Sequence, residues 1–431
     1  LKILAETVID MLHETRLNEV IIADFTDMLP FPKNHLFKLL KGSQRLKVNY
    51  ADKRLTKFKD MLAERGEPDD VDIDPETDLA VLQYTGGTTG LPKGAMLSHS
   101  AVSANAEQVA HWVQPIEDGK HKMVGVLPFF HVFAMTAVMN TSVRKAMEII
   151  ALPRFDLDQT LDLIHKKKAT VFPAVPAIYT AINNHKRREN YDLSSIDYCI
   201  SGGAPLPVEV KKDFEDGTGC VLVEGYGLTE TAPVACVNPL IGDNRSGSIG
   251  LPIPCTDVSL RDPDTGKPVA QGEKGELCIK GPQVMLGYWN RAEDNDGVFT
   301  EDGYLRTGDV AIMDEGGYLF IVDRIKDLII TNGYNVYPRH VEEAIYQHSA
   351  VEECIVGGLP DERRGEIVKA WIKLKEGCTL TEEELREFLS DKLSRIQQPK
   401  RYEFRDEPLP KTMIGKLSRK DVIAQEKEKA R

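Results

Sequence analysis

Between residues 123 and 236, short apolar runs at 123–127, 169–172, 198–200 and 221–223 alternate with stretches of helical periodicity. Strands spaced by helices bury both faces of a parallel sheet, so this part reads as a doubly wound α/β layer. From about 245 to 322 the pattern changes to short alternating strands between turns such as Asp264-Thr265-Gly266 and Asp314-Glu315-Gly316-Gly317, which is an antiparallel β region. Residues 324–431 read as a smaller α+β unit. Pro338 opens a helix there. Val368, Ala370, Ile372 and Leu374 alternate with Lys369, Trp371 and Lys373 as a half-exposed strand. Thr381 and Glu384 form a capping box ahead of Leu385, Phe388, Leu389, Leu393 and Ile396. A chain of 431 residues exceeds one ordinary domain. We divide it into a large α/β domain over 1–323 and a small C-terminal domain over 324–431.

Upstream of the alternating region, residues 1–60 read as helical with a short apolar strand at 20–23, and 64–78 as a polar surface loop. A strand over 79–84 enters a Gly/Thr-rich loop at 85–94, and a second short strand follows at 95–97. Ser98 or Ser100 can cap the helix over 101–113. The net charge of −13 argues against nucleic acid as a partner, because such binders carry a basic face. Seven dispersed cysteines without a CxxC pair read as reduced thiols, which places the chain in the cytoplasm. The charge-poor stretch 123–139 is interrupted by Pro128 and His131. It reads as strand, loop and buried helix, with no transmembrane segment.

The sharpest chemical motif runs from Tyr84 to Gly94, Tyr-Thr-Gly-Gly-Thr-Thr-Gly-Leu-Pro-Lys-Gly. Clustered glycines let successive backbone N–H groups point at one anion. Thr88 and Thr89 add hydroxyl donors, and Lys93 adds a point charge. The loop is a phosphate cradle, and it is not a Walker A loop, because the chain has no GxxxxGK[ST] spacing.

This loop resembles the phosphate-binding motif of the adenylate-forming superfamily, which comprises acyl-CoA synthetases, luciferases and peptide-synthetase adenylation domains. Further resemblances follow in order: Ser201-Gly-Gly-Ala-Pro205, Gly225-Tyr-Gly-Leu-Thr-Glu230, Tyr304-Leu-Arg-Thr-Gly-Asp309, Asp323-Arg-Ile-Lys-Asp327 and Pro410-Lys-Thr-Met-Ile-Gly-Lys416. The resemblance implies an ATP- or AMP-binding set of Thr85, Gly86, Gly87, Thr88, Thr89, Gly90, Lys93, Gly203, Ala204, Pro205, Gly225, Tyr226, Gly227, Thr229, Asp309 and Arg324. Tyr226 offers a ring for adenine, while Asp309 and Arg324 serve the ribose hydroxyls. Glu230 is a hard oxygen ligand for Mg²⁺. Lys416 bridges the acyl carboxylate and the α-phosphate, offsetting their repulsion most strongly in the transition state. His131 lies beside the acyl carboxylate, and Thr229 donates to the α-phosphate. Lys326 is the hinge of a mobile C-terminal domain, and Gly333 and Tyr334 face the CoA tunnel.

Singly, each residue has a plainer reading. Tyr226 and His131 suit core packing, Glu230 and Lys416 a solvated face, Asp309 a turn, and Arg324 a surface ion pair. It is the ordered set that favours the site. Residues 171–182 fit either an acyl tunnel or plain core. The resemblance is nearest to bacterial and archaeal long-chain fatty acid CoA ligases, with aryl and other acids, or a non-catalytic nucleotide-binding fragment, as alternatives. It implies ATP, CoA and a carboxylic acid as small-molecule partners, and it allows a homodimer and peripheral contact with the inner membrane face. It also implies roughly a hundred further residues ahead of Leu1. Gln397 and Gln398 depart from the Tyr-Lys pair that many CoA ligases carry there.

Overall fold

The computed structural model describes residues 2–27, 29–40, 48–63, 66–67, 69–85, 92–361, 363–412 and 417–429. The chain divides into two compact units, Leu1–Ile73 and Asp74–Arg431. The first holds α1 (Lys2–Met11), β1 (Val20–Ile22), α2 (Lys33–Leu40), β2 (Leu55–Lys57) and α3 (Phe58–Met61). The strand expected at 20–23 forms as β1, and the expectation of helix around it is corrected at β2. Val20 pairs in parallel with Leu55, so a two-stranded sheet joins segments far apart in sequence. Such short strands carry no period of their own.

In the second unit, β3 (Leu79–Thr85) and β4 (Lys93–Ser98) form an antiparallel pair, with Thr85 opposite Lys93. Ser98 caps α4 (His99–Trp112), its side chain accepting from Ala101 N at 3.1 Å. The alternating region then folds as expected. It comprises β5 (Lys122–Gly125), a π-helix Ala134–Asn140 running into α5 (Thr141–Arg144), β6 (Glu148–Ala151), α6 (Leu157–Lys167) and β7 (Val171–Ala174). After these come α7 (Pro176–Asn183), β8 (Tyr198–Ser201), α8 (Val208–Thr218) and β9 (Val221–Gly227).

With β10 (Val234–Val237) and β11 (Leu251–Pro252), these strands make one sheet in the order β11-β10-β9-β8-β7-β5-β6. Strands β5 to β9 are parallel, and β10 and β11 are antiparallel. Val171, Phe172, Leu222 and Val223 are wholly buried, each contributing about 1.5–3 kcal/mol by leaving water. The chain leaves β5 toward β6 and leaves β7 toward β8, on opposite sides. The strand order therefore reverses between β5 and β7, the kind of switch point near whose carboxyl ends ligands usually bind in such sheets. No helix among the described residues is long and apolar enough to cross a membrane.

The antiparallel region is β12 (Asp257–Arg261), β13 (Gly275–Lys280), the short α9 (Ala292–Asn295), β14 (Leu305–Met313) and β15 (Leu319–Arg324). Its strands pair in sequence order. Next come β16 (Ile329–Thr331), β17 (Tyr334–Val336), α10 (Pro338–Tyr346), β18 (Val351–Asp361), β19 (Gly365–Leu374), α11 (Glu382–Phe388), β20 (Arg401–Arg405) and α12 (Arg419–Lys429). The capping box at Thr381 and Glu384 forms as expected.

Strand β19 corrects the half-exposed reading. Lys369 is 6% exposed and Trp371 0%, so both faces are covered. Lys369 Nζ sits 2.7 Å from both Glu403 and Glu426, which makes its burial tolerable. The polar residue in the alternation is a buried ion cluster under α12, where the pattern had suggested solvent.

Candidate active site

Three strand ends supply the walls of one cavity of about 180 Å³. His131, Val132 and Phe133 follow β5, Ser201, Gly202 and Gly203 end β8, and Gly225, Tyr226 and Gly227 end β9. Val109, Trp112 and Val113 from α4 and its end, Ala137, and Val234 and Val237 of β10 complete an apolar lining. His131 Nδ1 accepts from Phe133 N at 3.2 Å, which leaves the ring proton of the neutral imidazole on Nε2. The π-helix starts directly after this turn, a distortion that often accompanies functional sites. Thr229 also lines the cavity, in a 3-10 turn Thr229–Thr231. Gly227 is required by space, because a Cβ there would lie 1.9 Å from the Pro233 carbonyl oxygen.

Residues 171–182 supply none of this lining, and Val171, Phe172, Ala174, Tyr179 and Ile182 are wholly buried in the main core. The plain-core reading holds for them. Sequence reasoning missed Trp112, Val234 and Val237, which look like ordinary core residues in sequence.

Asp309 and Arg324 stand directly opposite in the β14–β15 register, so their side chains meet. Arg324 Nε lies 2.9 Å from Asp309 Oδ1, and Tyr226 Oη donates to Asp309 Oδ2 at 2.5 Å. Burial and the Asp309 charge push the Tyr226 phenol well up, so it stays a donor. Asp309 is 2% exposed, held by these two partners and by Thr307 Oγ1, which accepts from its N–H at 3.1 Å. Arg324 also lines a second cavity of about 290 Å³ with Glu276, Arg306, Thr307, Gly308, Ile325 and Lys326. The chain Tyr226–Asp309–Arg324 thus links an apolar cavity to a polar one.

A third group forms around a residue the sequence reading did not single out. Tyr288 Oη donates to Glu230 Oε1 at 2.6 Å, and the Lys93 ammonium lies 5.2 Å over the Tyr288 ring. Lys93 Nζ pairs with Asp294 at 2.5 Å. Burial first, then the Glu230 charge, raise the Tyr288 phenol far above its usual range. A Gly-Tyr-Trp-Asn run gives no signal for this role.

No cluster of three or more His, Cys, Asp or Glu groups among the described residues could hold a metal by itself. A lone carboxylate such as Glu230 suits Mg²⁺, which binds through one or two carboxylates together with substrate phosphates and water.

Thr85 sits at the end of β3, its hydroxyl 3.5 Å from the Lys93 carbonyl. Ala204 and Pro205 follow Gly203 in the turn after β8. Gly333 and Tyr334 are placed apart from both cavity linings. Asn332 and Gly333 have φ of 51° and 77° in a two-residue hairpin between β16 and β17, a turn that demands such backbone. Gly86, Gly87, Thr88, Thr89, Gly90 and Lys416 lie outside the described residues.

Residues 5–289 match the AMP-binding enzyme family, and 340–416 match its C-terminal domain. The chain belongs to the AMP-binding enzyme family. It is 48% identical to a long-chain-fatty-acid–CoA ligase of Bacillus subtilis (strain 168), over 95% of this chain and 73% of that protein. It is 40% identical to the enzyme of the same name from Escherichia coli O157:H7, over 97% of this chain and 74% of that one. The crystal structure of ATP-bound MatB from Rhodopseudomonas palustris superposes with a TM-score of 0.81 at 30% identity, covering 96% of this chain and 79% of that one. Apo MatB gives 0.70 at 30% identity, covering 96% and 80%. This family member is a mixed α/β protein with a large N-terminal part and a smaller C-terminal one, as its strand pattern implies.

Proposed function

We propose that this chain is an ATP-dependent, AMP-forming acyl-CoA synthetase acting on a medium- or long-chain fatty acid. The observation that carries the reading is the Tyr226–Asp309–Arg324 chain, which leads from an apolar cavity beside His131 to a polar one beside Lys326. An acid with an apolar tail fits the first, with its carboxylate toward His131 Nε2–H. The Asp309 carboxylate accepts from the ribose hydroxyls and Arg324 donates to them. Tyr226, Gly203, Ala204 and Pro205 flank adenine. Residues 85–90 and Lys93 hold the phosphates, with Thr229 donating to the α-phosphate. In this reading Lys93 exchanges Asp294 for the nucleotide. Glu230 would hold Mg²⁺, which offsets phosphate charge.

The acid's carboxylate oxygen attacks the α-phosphorus and pyrophosphate leaves. Lys416 stabilises the charge that builds between the two anions. The CoA thiol then attacks the acyl carbonyl, a thioester forms and AMP leaves. The C-terminal segment pivots at Lys326 between these steps, bringing the Gly333–Tyr334 hairpin to the thiol. A cytoplasmic setting follows from the same reading.

The test is Lys416→Ala. Acyl-adenylate formation, followed by pyrophosphate exchange, falls by about 10²-fold or more, while a supplied acyl-adenylate still reacts with CoA. Near-normal adenylation in the variant removes Lys416 from this role. A panel of acids tests the substrate, and benzoate or coumarate outpacing every fatty acid would overturn the aliphatic reading.

A further inference from the structure

Arg419 opens α12, three residues past Lys416 in sequence. All three kinds of guanidinium nitrogen are engaged. Nη1 lies 2.6 Å from Asp327 Oδ2, Nη2 lies 2.7 Å from Glu342 Oε1, and Nε donates to the Val356 carbonyl at 2.6 Å. The partners come from three places: the turn Ile325–Asp327, helix α10 and strand β18. Glu342 Oε1 also accepts from Val356 N at 2.7 Å, so the network is braced from within. The side chain is 20% exposed, which shields these pairs from water more than ordinary surface pairs.

The segment just before Arg419 is closed at its base. Lys411 and Leu417 form an antiparallel bridge, and Ser418 N donates to the Pro410 carbonyl at 2.8 Å. Lys411 Nζ and Leu409 N are both held by Glu353, at 2.5 and 2.8 Å. In sequence Lys416 directly precedes Leu417, one of the two residues of that bridge. The base is joined through Arg419 to the turn that contains Lys326.

We propose that Arg419 is a positioning residue, tying the base of the Lys416 loop to the 325–327 turn so that the pivot sets the lysine's place. This rests on the acyl-CoA synthetase reading of Lys416 and Lys326. The planar fork meets its three acceptors with three separate nitrogens, which a lysine's single ammonium nitrogen does not reproduce. Asp327 is the arm that reaches the pivot, and Glu342 is the arm that reaches α10.

The test measures the two half-reactions separately on Arg419→Lys, Asp327→Asn and Glu342→Gln, with urea midpoints to confirm folding. For Arg419→Lys and Asp327→Asn, the kcat of acyl-adenylate formation falls about 10-fold or more, because misplacement of order an ångström costs that much. Their KM for ATP, and their thioester formation from supplied acyl-adenylate, stay within about 2-fold of the parent. Glu342→Gln, which keeps the Asp327 arm, retains more adenylation than Asp327→Asn. Equal loss of both half-reactions would mean that Arg419 only holds the segment together, and no loss of either would mean that it positions nothing. Both overturn the proposal. Lys416→Ala is run alongside. If it loses adenylation while Arg419→Lys and Asp327→Asn do not, this inference alone falls. If the parent forms no acyl-adenylate, the reading of the site falls with it.

Discussion

Asp309 shows how much one side chain can be asked to do. Its carboxylate faces a cation on one oxygen and a phenol on the other, so both oxygens are held in fixed directions. Asp309→Asn keeps the shape and removes the charge. It should raise the KM for ATP in pyrophosphate exchange by about 10-fold or more, since hydrogen bonds to charged groups contribute about 1.5–3 kcal/mol. An unchanged KM would take Asp309 out of the ribose site. Tyr226→Phe is the milder companion, losing the donor to Asp309 and keeping the ring. Glu230→Gln tests the metal. It should raise the Mg²⁺ concentration needed for half-maximal adenylation, and an identical titration would remove Glu230 as the ligand. Tyr288→Phe, which frees the Glu230 oxygen of its phenol at 2.6 Å, should shift that titration less.

At the scale of elements, the strand ends of β5, β8 and β9 do the placing, and their turns tolerate little change. Gly227→Ala would drive a methyl group to 1.9 Å from a backbone carbonyl that cannot rotate away. It should lower stability by about 2–3 kcal/mol and distort the Tyr226 turn. Urea unfolding at an unchanged midpoint would contradict this. The elements also show what a sequence makes legible. The runs 169–172, 198–200 and 221–223 read as strands because burial on both faces leaves unbroken apolar residues. The partnership of Asp309 with Arg324 did not, because it depends on the β14–β15 register, including a shift at Val310. Lys369 and Trp371 misled for a related reason. Alternation marks solvent only when nothing covers the second face, and α12 lies far along the chain. Trp112, Val234 and Val237 line the cavity through tertiary placement alone, and residues 171–182 advertised a tunnel that belongs to the core.

At the scale of the whole molecule, two buried carboxyls lie where α10 meets the strands before it. Asp323 Oδ2 accepts from Arg339 N at 2.7 Å, an anion at the helix's first turn. Burial nevertheless pushes Asp323 up to about 6. Glu224, 6% exposed, is pushed up to about 7 by burial, with Arg339 opposing. Lys211 and Glu343 also act on Glu224, while Arg419 and Glu342 act on Asp323. Both groups titrate higher in the folded chain than in the unfolded one. Between roughly pH 4 and 7 the folded chain therefore holds protons that the unfolded chain has released, and stability falls as pH rises. The contribution is complete below the unfolded values and gone above the folded ones. For Glu224, a rise from 4.5 to about 7 corresponds to at most about 3 kcal/mol. Carboxylates held low, such as Asp302 at about 2 beside Arg261, act in the opposite sense and only at lower pH, so the windows separate. Glu224→Gln keeps an acceptor for Leu206 N and cannot ionise. The parent's urea midpoint should drop between pH 5 and 8, and that of the variant should drop distinctly less, leaving the variant the more stable at pH 8. Parallel pH profiles for the two proteins would show that Glu224 is not the buried proton holder at this seam.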